Sequence, residues 1–211
     1  MMKLYSYWRS TTSYRTRIAL NMKKIPYETV DVNLVKGEQR SEEFMATNPS
    51  KGVPALELAD GTILTQSMAI ISYLEAIKPK PALRPENPVF AAEVNAAAYV
   101  IAMDIHPINN LKVTRYLKSN GMTDDDAKNW MKHWMSEGFT AYQELIDLDG
   151  DYSFGNTVSL ADICLIPQLY NAHRWGVDLT PFARLLEIEQ NCLALPEFKA
   201  AFPENQSDAN K

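Results

Sequence analysis

The stretch Tyr5-Ser-Tyr-Trp-Arg-Ser10-Thr-Thr-Ser-Tyr-Arg-Thr-Arg-Ile-Ala-Leu20 reads as a short strand that breaks into a helix, with hydroxyls crowded at the break. Strand-prone aromatics lie between Lys3 and Tyr7, and Ile18, Ala19, Leu20 and Met22 give the helix an apolar face. Ser10, Thr11, Thr12 and Ser13 stand between them, and any of the four can cap the helix. A helix N-terminus offers free N–H groups and a partial positive charge, so it favours an anion. Hydroxyls placed there donate to that anion, and Arg9 adds charge. If the anion is a thiolate, the arrangement lowers a thiol pKa. The same cluster also reads as a plain N-cap.

Working outward, strand signals recur at 27–32 and 53–58, and Asp60-Gly61 marks a tight turn into a strand at 62–64. Helical patterns fall at 12–23, 41–46 and 67–77. The order strand-helix-strand-helix-strand-strand-helix suits a small mixed α/β sheet with helices on its faces. Four prolines between Pro79 and Pro88 then make an extended linker. Beyond it strand signals nearly vanish, and 89–119, 123–148, 159–173 and 181–192 read as helices, with a short one near Pro196. The predicted division is an α/β domain over 1–79, a linker over 80–88 and an all-helical domain over 89–211, with a frayed polar tail after Pro203.

Composition excludes several partners. The 211 residues are 46% hydrophobic and 22% charged, an ordinary globular balance able to bury a sizeable core. A net charge of −5 without a run of Lys or Arg argues against nucleic acid or an anionic membrane, though a few arginines suffice for a small anion. No apolar run reaches bilayer length and no signal-peptide pattern opens the chain, so a cytoplasmic address is expected. Cys164 and Cys192 lack metal spacing, sit in apolar helical patterns and are expected buried, reduced and inert, with no metal bound.

Three further marks stand out. In Lys51-Gly-Val-Pro54, proline cannot donate to a ladder, so the strand begins after it or turns through a cis bond that would expose the Val53 backbone to a peptide-like ligand. In Thr65-Gln66-Ser67, Ser67 is the expected cap of an apolar helix whose N-terminus can take a carboxylate. In Thr157-Val-Ser159-Leu-Ala-Asp162, Ser and Asp have capping-box spacing, a structural signal.

In this order the marks resemble the glutathione transferase family over essentially the whole chain. Tyr7-Trp-Arg-Ser10-Thr-Thr-Ser-Tyr-Arg15-Thr-Arg-Ile-Ala-Leu, Asp104-Ile-His106-Pro-Ile-Asn109-Asn110-Leu and Asn171-Ala-His-Arg174-Trp look like its zeta class, the maleylacetoacetate and maleylpyruvate isomerases. The resemblance implies a thioredoxin-like first domain, an all-α second domain, glutathione as cofactor and a homodimer. It implies that Val53 pairs with the cysteinyl backbone of glutathione, that Gln66 and Ser67 hold its γ-glutamyl end, and that Ser10 donates to its sulfur. Thr11, Thr12, His106, Asn109 and Asn110 fall among the cofactor-binding positions. Thr12 stands where the zeta signature commonly has cysteine, so no enzyme thiol is available there.

The implied reaction adds the thiolate reversibly to a cis enedioate, so that the bond turns and re-forms trans, maleylacetoacetate becoming fumarylacetoacetate. Arg9 and Arg174 are the candidates for gripping the substrate carboxylates, because a guanidinium pairs with them bidentately. Maleylpyruvate would use the same residues. A general conjugating or peroxide-reducing transferase and a non-catalytic binding module are the other readings, and an intact Ser10 with the Gln66-Ser67 pair weighs against the last.

Overall fold

The structure, a computed structural model, describes residues 1–209. The chain divides into two units: Met1–Ala82 together with the segment from Ala194, and Leu83–Leu193. The first unit is built on a four-stranded sheet in the order β2-β1-β3-β4, with β1 at Met2–Ser6, β2 at Tyr27–Asp31, β3 at Ala55–Glu57 and β4 at Ile63–Thr65. β1 pairs parallel with β2 across the helix α1 (Thr11–Met22), and antiparallel with β3, placing Lys3 opposite Glu57. The β3–β4 hairpin closes at Asp60-Gly61, where Gly61 has φ 87° and the Asp60 carboxylate accepts from the Thr62 amide. α2 (Glu42–Thr47), capped by Ser41, and α3 (Ser67–Ile77) complete the thioredoxin-like arrangement.

α1 is buried well beyond the apolar face read from its sequence. Tyr14, Ile18, Ala19 and Leu20 are fully enclosed, and so are Arg15, Thr16 and Arg17. The reason is the segment from Ala194: α10 (Pro196–Ala201) packs on α1, Tyr14 meets Phe202 edge to face, and the Asn21 amide donates to the Glu197 carbonyl. This corrects two expectations. The chain from Ala194 groups with the sheet unit rather than with the helical one, and residues 203–209 are docked, with Asp208 buried and accepting from the Trp8 amide at 3.0 Å. The proline-rich linker is also pinned at its start, because the buried Lys23 ammonium donates to the Pro81 carbonyl at 2.6 Å and pairs with Glu75 at 3.2 Å.

The second unit is helical. α4 (Pro88–Tyr99) runs into a π-helical segment, Val100–Ile105, then α5 (His106–Ile108), α6 (Leu111–Ser119), α7 (Asp124–Leu145), α8 (Leu160–Trp175) and α9 (Ala183–Ala194). The helix predicted over 89–119 is therefore interrupted. Its run Pro88–Ser119 has the length and apolar composition of a bilayer span, contrary to the sequence reading, but α4 packs on α8 and the π segment on α7. The Ser159–Asp162 box forms as read: Asp162 accepts from the Ser159 amide at 2.7 Å and from the Ser153 amide at 2.8 Å. Burial raises the Asp162 carboxyl from its ordinary value, the hydrogen bonds opposing it.

Candidate active site

Ser10 is the residue that caps α1. Its backbone is extended, its hydroxyl oxygen accepts from the Ser13 amide at 3.2 Å, and it is almost fully buried. Two residues on, within the first turn, the Thr12 hydroxyl lies 2.9 Å from the Ser10 hydroxyl and donates to the Val53 carbonyl at 2.8 Å. The Val53–Pro54 bond is cis. The strand start read as a possible ligand-pairing backbone thus stands against the helix start read as an anion site. Ser10, Thr12 and Val53 form one hydrogen-bonded group, whereas Thr11, the first helical residue, is buried beside them.

Three supports of this group escaped the sequence reading. Arg17 donates to the Ser6 hydroxyl at 3.1 Å, the Trp8 carbonyl at 2.9 Å and the Ala201 carbonyl at 3.1 Å, tying down the loop from which α1 starts. Asp208 holds the Trp8 amide, and burial raises its carboxyl. Asn48 organises the loop before Val53: its amide donates to the Gly52 carbonyl at 2.6 Å while its oxygen accepts from the Ser50 amide and hydroxyl. The only local signal was Asn48-Pro-Ser-Lys-Gly, a turn composition. Nothing local announces that an arginine will face a core.

At α3 the structure corrects the cap. Gln66, not Ser67, is the flanking residue, with φ 69° and no side-chain cap bond, and Ser67 is already helical and buried. A left-handed backbone at a glutamine is costly, on the order of 1 kcal/mol or more. It leaves the Gln66 side chain exposed at a helix N-terminus. Arg9, half-buried, lies with its guanidinium carbon 4.4 Å from the Trp8 ring centroid.

The amino-terminal residues 1–76 match the glutathione S-transferase N-terminal domain. Over nearly its whole length the chain is also similar to a probable maleylacetoacetate isomerase of Vibrio cholerae, 46% identical across 98% of this chain and 97% of the relative. The chain belongs to the glutathione transferase family, in its zeta class. Its fold follows that of a bacterial zeta-class maleylpyruvate isomerase solved in holo form, with TM-score 0.95 and 43% identity over 98% of this chain and 99% of that one. It also follows a maleylacetoacetate isomerase from Methylobacterium extorquens solved with malonate and glutathione bound, with TM-score 0.94 and 34% identity over 99% and 100% of the two chains.

In this glutathione transferase the other predicted site residues belong to the helical unit. His106 opens α5, and its Nε2 lies 3.5 Å from the Asn110 amide nitrogen. Asn110 is not in a helix interior. It caps α6, its oxygen accepting from the Lys112 amide at 3.0 Å, which accounts for its presence. Asn109, between the two helices, has both side-chain polar atoms buried without a hydrogen-bond partner among the described residues. Arg174 is exposed in the last turn of α8, its guanidinium carbon 4.7 Å from the Trp175 ring centroid.

Proposed function

We propose that this chain is a glutathione-dependent cis–trans isomerase of a maleyl keto-acid, converting maleylacetoacetate to fumarylacetoacetate. The observation that carries the reading is the Ser10–Thr12–Val53 group: hydroxyls at a helix N-terminus joined to the peptide carbonyl just before β3. That donor set suits a thiol borne on a peptide backbone. Glutathione, when bound, supplies the thiolate that adds reversibly to the substrate double bond.

The chain's own residues hold and orient. Ser10 and the α1 N-terminus stabilise negative charge on sulfur, with Thr11 and Thr12 beside them. Each pKa unit so gained is about 1.4 kcal/mol, within reach of one charge-assisted hydrogen bond and a helix dipole. Val53 pairs with a peptide amide, and Gln66 with Ser67 receives a carboxylate at the start of α3. Arg9 and Arg174 grip the substrate carboxylates through their planar forks. His106, Asn109 and Asn110 serve cofactor binding, a role that the unpartnered buried amide of Asn109 supports.

The acting form is a homodimer in this reading. Val89 and Met103, 68% and 53% exposed on the Pro88–Ser119 run, support an apolar face awaiting a partner. A cytoplasmic address agrees with cysteines that are both buried. Maleylpyruvate isomerisation is the second reading, favoured by the close match to the holo maleylpyruvate isomerase fold.

The test is an absorbance assay of both acids, with and without glutathione, on wild type and Ser10→Ala. Glutathione-dependent turnover that drops about 100-fold in the variant is expected, and the faster acid identifies the substrate. No turnover of either acid with glutathione still bound would replace the reading with a conjugating transferase. No binding would leave a non-catalytic module.

A further inference from the structure

Thr12 has one hydroxyl hydrogen, and the Val53 carbonyl 2.8 Å away can only accept, so that hydrogen lies on the Thr12–Val53 bond. The 2.9 Å contact between Ser10 and Thr12 then takes its hydrogen from Ser10. Ser10 is thereby committed on both sides, donating to Thr12 and accepting from the Ser13 amide. It has no hydrogen left for an anion at the α1 N-terminus. From this the geometry points to Thr12 as a positioning residue that couples occupation of the Val53 carbonyl to the donor state of Ser10.

This inference rests on the glutathione reading above and deepens it. When an incoming peptide N–H takes the second lone pair of the Val53 carbonyl, the shared oxygen binds Thr12 less strongly, and Thr12 turns its hydrogen across to the Ser10 oxygen. Ser10 then releases its own hydrogen from Thr12 and presents it outward. The chain of donation, which ran from Ser10 through Thr12 to Val53, now runs from Thr12 through Ser10 to the sulfur. Each hydroxyl keeps its hydrogen, so no bond breaks and only rotations occur. A hydroxyl that itself accepts is a stronger donor, so the reversed chain activates the thiol once the backbone has docked. An unattached thiol cannot trigger it.

The experiment follows the ultraviolet absorbance of the thiolate of bound glutathione against pH in wild type, Thr12→Val, Thr12→Ser and both Thr12 variants on Ser10→Ala. Thr12→Val is expected to raise the bound thiol pKa by about half a unit, roughly a threefold loss of thiolate below that pKa. Thr12→Ser, which keeps the hydroxyl, is expected to stay within about a tenth of a unit of wild type. On Ser10→Ala the valine change should add nothing, because Thr12 acts through Ser10. An unchanged or lowered pKa in Thr12→Val overturns the coupling. So does an equal shift on Ser10→Ala, or a failure of serine to restore. Thr12→Ala gives the same comparison if the valine variant does not fold. If wild type binds no glutathione, the proposed function falls together with the coupling. If it binds and isomerises while Thr12→Val leaves the thiol unshifted, only the coupling falls.

Discussion

Arg17 donates to carbonyls of Trp8 and Ala201 and to the Ser6 hydroxyl from a fully buried position. Replacing it by leucine adds apolar surface worth about 2 kcal/mol at best. The substitution also strands several buried acceptors, each costing about 1–3 kcal/mol. The second effect wins, and Arg17→Leu is expected to lower stability by about 3 kcal/mol or more, read from the urea midpoint at constant slope. A loss below about 0.5 kcal/mol would show that solvent reaches those carbonyls. At this scale the sequence was partly legible. Ser10 was legible as one of several possible caps at a strand-to-helix break, and its role toward sulfur came from the family resemblance. Arg15 and Arg17 were not, because helix periodicity sorts arginine to solvent and takes no account of a segment arriving from residue 194 onward.

Elements were read more faithfully than their ends. Short strands and α3 came out within a residue or two, since alternation and apolar spacing are local. The break of 89–119 into α4, the π segment, α5 and α6 was missed although Pro107 and Asn109-Asn110 stand at it, because the apolar patterns on either side read as one helix. Gly138 on α7 shows what accommodates it: a Cβ there would collide with Cγ1 and Cδ1 of Ile105 in the π segment. Gly138→Ala gains about 1 kcal/mol of helix propensity but forces overpacking of about 1–3 kcal/mol or more. A net loss of melting temperature is expected, and Ile105→Val in the same chain should recover part of it.

On the sheet, Glu57 accepts from Tyr5 at 2.8 Å and pairs with Lys3 at 3.2 Å. The Tyr5 bond chiefly, then Lys3, lowers its carboxyl below the ordinary 4.5. A lowered carboxylate contributes stability above its unfolded pKa and loses it as pH falls through the folded one. Wild type should therefore lose more of its urea midpoint than Glu57→Gln between about pH 5 and pH 3. Parallel curves for the two proteins would rule the contribution out.

At the scale of the molecule, the mild acidity left room for a small anion without choosing among anions. Burial raises the Cys192 thiol, and Cys164 is equally enclosed. Neither thiol is expected to react with a disulfide reagent until denaturant unfolds the chain, and prompt labelling of the native protein would contradict that. The two-part division was legible in the proline-rich stretch, but the return of the chain to its first unit was not, since no local pattern encodes a partner 200 residues away.

That return sets an order of events during synthesis. Trp8 meets its carboxylate acceptor only when Asp208 has been made, and Arg17 finds the Ala201 carbonyl only slightly earlier. On the ribosome the sheet and α1 therefore wait, with a buried-type arginine facing water, while the whole helical unit is translated. A message truncated anywhere in the helical unit would yield a chain that cannot finish its first half. The anchoring of Ser10 would thus be among the last features assembled, although its residue is among the first translated.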